Sequence, residues 1–247
     1  MLIDSFSYTS RGGRSENQDA IGEKIYSDGA VYVVADGLGG HLHGEMASRC
    51  AVDTILAELP GEDPKAWLCE RISQANKNIL ELQAKEHGRM KTTVTALTIR
   101  NDQASWAHVG DTRLYYLHNN TIDSITADHS VAYRKYLSGE IIREEIGSDE
   151  DQSSLLRALG NPERFQPDCC TLDHPIGPMD GFLLCTDGVW TYLLDEEILV
   201  DYLKADCAET WAELLLLRVA GRISSRNDNL SLITIMTYQE QEEFYES

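Results

Sequence analysis

The sequence predicts an α+β protein whose strands pair mainly antiparallel, and three observations carry that expectation. Strand-like runs are numerous and do not alternate regularly with helical ones. Two of them, Ala104–Val109 and Leu114–His118, are separated only by the turn at Gly110-Asp111, far too short for the crossover that a parallel pair needs. Three longer stretches carry apolar residues at spacings of three and four, as helices lying on a sheet do.

Taken in chain order, Ala30–Ala35 is a short apolar run that reads as a buried strand. Glu45–Leu59 places Met46, Cys50, Ile55 and Leu59 near one helical face, with Pro60-Gly61 as its stop. Pro64–Glu86 repeats the pattern through Trp67, Leu68, Ile72, Ala75, Ile79 and Leu82. Thr92–Ile99 is rich in β-branched residues, and with Ala104–Val109, Leu114–His118, Phe182–Cys185 and Leu230–Met236 it completes the strand set. Ala208–Ser224 is the third long helix. No linker or repeat divides these elements, so one domain over 1–238 is expected, followed by an acidic tail, 239–247.

The chain has 247 residues, 42% hydrophobic and 25% charged, the balance of a globular protein with a substantial core. Its net charge of −20 excludes a nucleic-acid backbone as partner and leaves room for bound cations. No apolar run reaches membrane-span length, and MLIDSFSYTS lacks the basic flank and apolar core of a secretory signal, so the reading is cytoplasmic with no membrane partner. The six cysteines form no C-x-x-C pair, Cys169-Cys170 being adjacent, and none has an arginine six positions on. That spacing offers neither a zinc site nor an ordinary disulfide, and Cys50 and Cys185 read as small core residues. A P-loop and a G-x-S-x-G elbow are both missing.

The chemistry lies in the acids at strand ends. VYVVADGLGGH runs an apolar strand into Asp36, and FLLCTDGVW does the same at Asp187; Asp228 in RNDNLSLITI stands just before a strand. In an antiparallel sheet one strand's end and its neighbour's start share an edge, so Asp36, Asp187 and Asp228 are placed to converge. Asp19 and Asp111 stand in similar turns. Converging carboxylates repel unless cations sit between them, and oxygen-only ligands select Mg²⁺ or Mn²⁺. Singly, each Asp-Gly is ordinary turn chemistry. His41 and His43 are open to either a site role or a plain loop role, whereas His108, inside a strand, reads as a satisfied core histidine.

In order, RSENQDA, VVADGLGGHLHGEMAS, KTTVTALTI, AHVGDTRLYYL, ITADHS, LLRALG, FLLCTDGVW and RNDNLSLITI resemble the metal-dependent Ser/Thr protein phosphatases of type 2C, bacterial branch, from Arg14 to Ile235. The resemblance implies a four-layer αββα sandwich and hydrolysis of phosphoserine or phosphothreonine by a metal-bridging water, without a covalent intermediate. It implies two Mn²⁺ or Mg²⁺ ions bridged by Asp36, the Gly37 carbonyl touching one, Asp187 and Asp228 holding the other, and Asp19 as an outer carboxylate. Arg14 then binds the substrate phosphate, and Asp111 serves a weaker third ion. Phosphoproteins, and a cognate Ser/Thr kinase as their source, are the implied partners of a monomer.

Four positions depart from the family pattern: Lys91 for glycine, Thr191 for an aspartate of the third ion, Leu38 for a histidine of some relatives, and Gln18 for a glutamate ligand. Residues of about 130–160 fall where the family carries a flap; there Tyr133, Arg134 and Lys135 are open to phosphopeptide contact or to plain solvation, and the acidic run Ser148–Asp151 to repulsion of a second phosphate. Two rival functions remain: a pseudophosphatase acting as a binding module, and a phosphatase of a small metabolite.

Overall fold

The computed structural model describes residues 1–39 and 43–239, so His41 and the tail beyond Gln239 lie outside the described residues. One sheet has the order β1 (Leu2–Ser10), β11 (Leu230–Tyr238), β10 (Gly181–Cys185), β7 (Arg113–His118), β8 (Thr121–Ile125). The other runs β2 (Asp19–Tyr26), β3 (Gly29–Leu38), β5 (Val94–Arg100), β6 (Gln103–Val109), β9 (Asp168–Thr171), with short β4 (Lys91–Thr92) against the end of β3. Every pairing among the described strands is antiparallel.

Alternation along each strand explains the layers. On β3, Ala30, Tyr32 and Val34 face a core shared with Leu114, Phe182 and Ile233 of the first sheet, whereas Val31, Val33 and Ala35 face helices α1 (His43–Leu56) and α2 (Pro64–Glu86). Burial on both faces is why the run reads as continuously apolar. Across the sandwich, Tyr115, Leu183 and Leu232 pack outward against Trp211 and Leu215 of α6 (Ala208–Ala220) and Ile198 of α5 (Asp195–Lys204). The expected αββα arrangement is the observed one.

Several boundaries differ. The turn at Gly110-Asp111 does not close a hairpin: β6 lies in one sheet and β7 in the other, so the chain crosses the sandwich there. Gly110, at φ +105°, makes the crossing possible, since a Cβ would sit 2.5 Å from Thr93. The hairpins instead join β2 to β3, β5 to β6 and β7 to β8. Helix α1 stops at Leu56 rather than Leu59 because Lys24 Nζ, 2.9 Å from the Leu56 carbonyl, closes its end. Helix α2 has the expected bounds, with Asp63 accepting the Ala66 amide at 2.9 Å and His87 in the left-handed region. A disulfide joins Cys69 of α2 to Cys169 of β9, against the reading of the cysteines as unpaired; helix-on-sheet packing, not sequence spacing, brings them together. Cys50 and Cys185 are packed into core clusters as expected.

Between Asp128 and Gly160 the chain forms α3 (Val131–Ser138), capped by Ser130, and a 3₁₀ turn at Arg143–Ser148. Bridges Ser130–Leu155 and Thr92–Leu159 pin its base. Two acids of the run Ser148–Asp151 are partners of Lys135, whose Nζ lies 2.9 Å from Asp149 Oδ1 and 2.8 Å from Asp151 Oδ2, whereas Glu150 between them is exposed. Tyr133 packs on Tyr136 against the core, and Arg134 is exposed.

Candidate metal centre

Asp19 and Asp36 are register partners across β2 and β3, so both carboxylates leave the same face of that sheet. Asp187 follows the end of β10 and Asp228 precedes the start of β11, strands in register at Cys185–Leu232, which brings these two to one edge of the other sheet. The two edges meet in a cavity of about 450 Å³ lined by Arg14, Gln18, Asp36, Gly37, Asp187 and Asp228, among others.

Local chemistry fixes each acid. The carbonyl of Asp36 accepts from Thr93 N at 2.9 Å and Thr92 Oγ1 at 2.8 Å, and its amide donates to Thr93 Oγ1 at 3.0 Å. Those contacts interrupt the expected strand Thr92–Ile99 at Thr93. Asp187 does not sit in a plain turn but opens the short helix α4 (Asp187–Trp190). Gly188 allows this, because a Cβ there would lie 1.9 Å from the Asn229 carbonyl. Gly37 is equally confined, a Cβ falling 2.2 Å from the Gly44 carbonyl. Buried Asp19 joins the sheets, accepting from Ser231 Oγ at 2.7 Å and Thr186 Oγ1 at 3.1 Å. Asn229 staples the loop that carries Arg14: its Oδ1 accepts from Gln18 N at 2.8 Å, and its Nδ2 donates to the Arg11 and Glu16 carbonyls at 2.9 Å. Arg14, exposed at the rim, places Nη2 2.8 Å from Asp228 Oδ2.

The acids hold one another in an unfavourable state. Burial, followed by the charges of Asp187, Asp19, Asp111 and Asp228, pushes the Asp36 carboxyl well above the usual range. Burial first, and then Asp187, raises Asp19 to about 7 against the hydroxyls of Ser231 and Thr186. Asp187 is raised by burial and by Asp228, with the Gln152 amide opposing. An all-oxygen donor set with charge in excess fits hard divalent cations. A measurable consequence follows for stability. A carboxyl raised on folding binds its proton more tightly in the native state, so its stabilisation is complete below about pH 4 and is lost as pH rises through the folded value near 7. With chelator present, the melting temperature is expected to fall between pH 5 and 8, and saturating Mn²⁺ to restore most at pH 8. Stabilisation by Mn²⁺ that is equal across this range contradicts the assignment.

Asp111 is buried away from the cavity lining, though close enough to Asp187 for the two charges to interact. His43 turns from the acids, its ring against Gly88, where a Cβ would meet Nε2 at 2.7 Å. His108 is a satisfied core residue, Nε2 lying 2.9 Å from the Ala127 carbonyl. His108, His129 and Asp168 bring ligand atoms within 4.8 Å of one another. His129 Nδ1 nevertheless accepts the Gly110 amide at 3.1 Å, which puts its proton on Nε2 toward Asp168. Arg157 already pairs with Asp168 at 2.7 Å, so the trio braces the Gly110 turn and is a poor metal site.

The family model described as "Protein phosphatase 2C" matches residues 9–215. The chain belongs to the protein phosphatase 2C family. Among curated relatives of this 2C-type chain, the serine/threonine phosphatase stp of Listeria welshimeri is 34% identical over 203 residues, 78% of this chain and 76% of that protein. Among solved structures, the Mycobacterium tuberculosis serine/threonine phosphatase PstP/Ppp superposes with a TM-score of 0.82 at 28% identity, covering 97% of this chain and 100% of that one. The PstP catalytic domain in complex with 2 manganese ions gives a TM-score of 0.79 at 26% identity, covering 96% and 99%. As a 2C-type phosphatase the chain is a metal-dependent enzyme with the two-sheet fold of those structures. Of the departures, Lys91 is exposed and leaves its pairing with Leu38 intact. Gln18 contributes its carbonyl, which accepts from Gly37 N at 3.1 Å and Ser48 Oγ at 2.6 Å.

Proposed function

We propose that this protein hydrolyses phosphoserine and phosphothreonine in phosphoproteins, with one catalytic domain spanning 1–238 and the segment 130–160 as its flap. The observation that carries the reading is the meeting of Asp36, Asp187, Asp228 and Arg14 in one cavity at the sandwich edge. Asp36 is assigned to both of two Mn²⁺ or Mg²⁺ ions, the Gly37 carbonyl to one, Asp187 and Asp228 to the other, and Asp19 to an outer position. Support for two ions comes from the manganese-bound PstP catalytic domain. When bound, such ions supply an acidified water and positive charge for the phosphoryl oxygens.

The chain's own residues do the positioning. Arg14 offers a planar fork to the phosphate from the rim, a task suited to guanidinium. Thr92 and Thr93 hold the Asp36 backbone, and Ser231 and Thr186 fix the Asp19 carboxylate. No side chain serves as nucleophile, and no covalent phosphoenzyme forms. A Ser/Thr kinase supplying the substrate, a monomeric state and a cytoplasmic location complete the proposal; among the described residues no helix is long and apolar enough to cross a membrane.

The test is Mn²⁺-dependent release of phosphate from a phosphothreonine peptide, set against free phosphorylated metabolites. Turnover of the peptide is expected, with kcat/KM falling about 10²-fold or more in Arg14→Ala, as when one oxyanion donor is lost. Preference for metabolites moves the reading to a small-molecule phosphatase. Inactivity of wild type and Asp36→Asn alike, with both ions tried, moves it to a binding module.

A further inference from the structure

Sequence alone leaves open how many ions a centre of this kind holds here, and the side of Asp187 facing the flap decides it. The turn after the 3₁₀ segment is closed by Lys135 on Asp149 and Asp151 and by the Asp151 amide on Asp149 Oδ1 at 2.9 Å. Its next residue, Gln152, is thereby directed at the centre, with Nε2 3.0 Å from Asp187 Oδ2. An ionised carboxylate only accepts, so the amide nitrogen is the group that faces it. One helical turn beyond Asp187, Thr191 spends its hydroxyl proton on the Asp187 carbonyl at 2.7 Å. Asp111 is buried, and its carbonyl accepts Trp190 Nε1 at 2.9 Å.

An outer cation beside Asp187 needs several oxygen ligands and excess negative charge. Thr191 contributes no charge and has spent its hydroxyl proton, Gln152 turns its donor nitrogen rather than its carbonyl oxygen to Asp187, and the Asp111 carboxylate, although its charge interacts with Asp187, lies outside the cavity lining. These residues do not fit a third ion, in contrast to the weaker third site that the resemblance implies. We propose that Gln152 stands in for that outer ion: it docks the flap on Asp187 through a hydrogen bond, and the chain works with two ions. This inference rests on the two-ion reading above.

Gln152 is accordingly a positioning residue for Asp187. Loss of such a partner to a metal ligand weakens the ion by about 10–100-fold. Gln152→Ala is expected to weaken the looser of two Mn²⁺ dissociation constants in that range by calorimetric titration, in a variant that still unfolds in a single cooperative transition. Unchanged Mn²⁺ affinity overturns the positioning role. Native mass spectrometry of the intact chain in Mn²⁺ then counts ions directly. Wild type is expected to carry two, and Gln152→Ala/Thr191→Asp three, because the double change restores charge and removes the donor. Three ions on wild type, or two on the double variant, overturn the substitution of amide for ion. Fewer than two on wild type overturns the two-ion reading itself and this inference with it.

Discussion

Asp36→Asn is expected to lower the Mn²⁺-supported rate by about 10³-fold or more, since even one lost donor to developing charge costs 10²–10³-fold. The same change is expected to raise the melting temperature of the chelator-treated protein. Both directions follow from one arrangement. Asp36 is pressed upon by four neighbouring carboxylates in a desolvated edge between two sheets, and asparagine has the same shape without the charge. In the absence of cations the substitution relieves repulsion; in their presence it removes the group that two ions share. A site kept for chemistry at the expense of stability behaves this way. The measurement is a pair: initial rate on a phosphothreonine peptide, and thermal unfolding with chelator at pH 8. A variant within tenfold of wild-type activity, or one that melts lower than wild type without metal, removes Asp36 from the centre of the proposal.

Much of this geometry was legible because strand ends are legible. The run at Val31–Ala35 ends on Asp36 and the run at Phe182–Cys185 ends before Asp187, and antiparallel pairing alone brings Asp187 to Asp228. Other features left weaker traces. The edge strand β1 alternates serines with Phe6 and Tyr8, a period-2 signal in a stretch with few aliphatic residues. On β2, Gly22 interrupts the apolar pattern because α1 lies so close that a Cβ would meet Leu56 at 2.7 Å. The turn at Gly110-Asp111 had the length of a hairpin, yet the chain uses it to change sheets; length constrains the turn, not the partner strand. Gln152 gave no signal, since its role depends on how Lys135 folds a turn fourteen residues away. The paired threonines Thr92 and Thr93 did carry one: a β-branched run whose first two hydroxyls have no reason to be polar unless they bond a neighbouring backbone.

A second large effect is expected from Asp128→Ala, and it concerns stability before activity. Arg113 and Asp128 are each 5% exposed and meet bidentately, Nε to Oδ1 at 2.9 Å and Nη2 to Oδ2 at 2.7 Å. The guanidinium also donates to Tyr115 Oη at 3.1 Å and lies 3.5 Å from the centroid of the Trp190 ring. Removing the carboxylate leaves a buried charge without its partner, which costs about 3–5 kcal/mol. For a chain of this size that lowers the melting temperature by roughly 6–20 °C. Replacing both partners by apolar residues, Arg113→Met with Asp128→Leu, is expected to recover most of the loss, because the penalty comes from the orphaned charge. Activity is not expected to recover with it. Trp190 rests on the guanidinium and donates to the Asp111 carbonyl, and it closes the same short helix that Asp187 opens. Without Arg113 that helix loses its support from below, and Asp187 its fixed approach to Asp228. A double variant that regains stability but stays slow, with weakened Mn²⁺ binding, assigns the buried pair to the centre as well as to the core; one that regains both restricts it to folding.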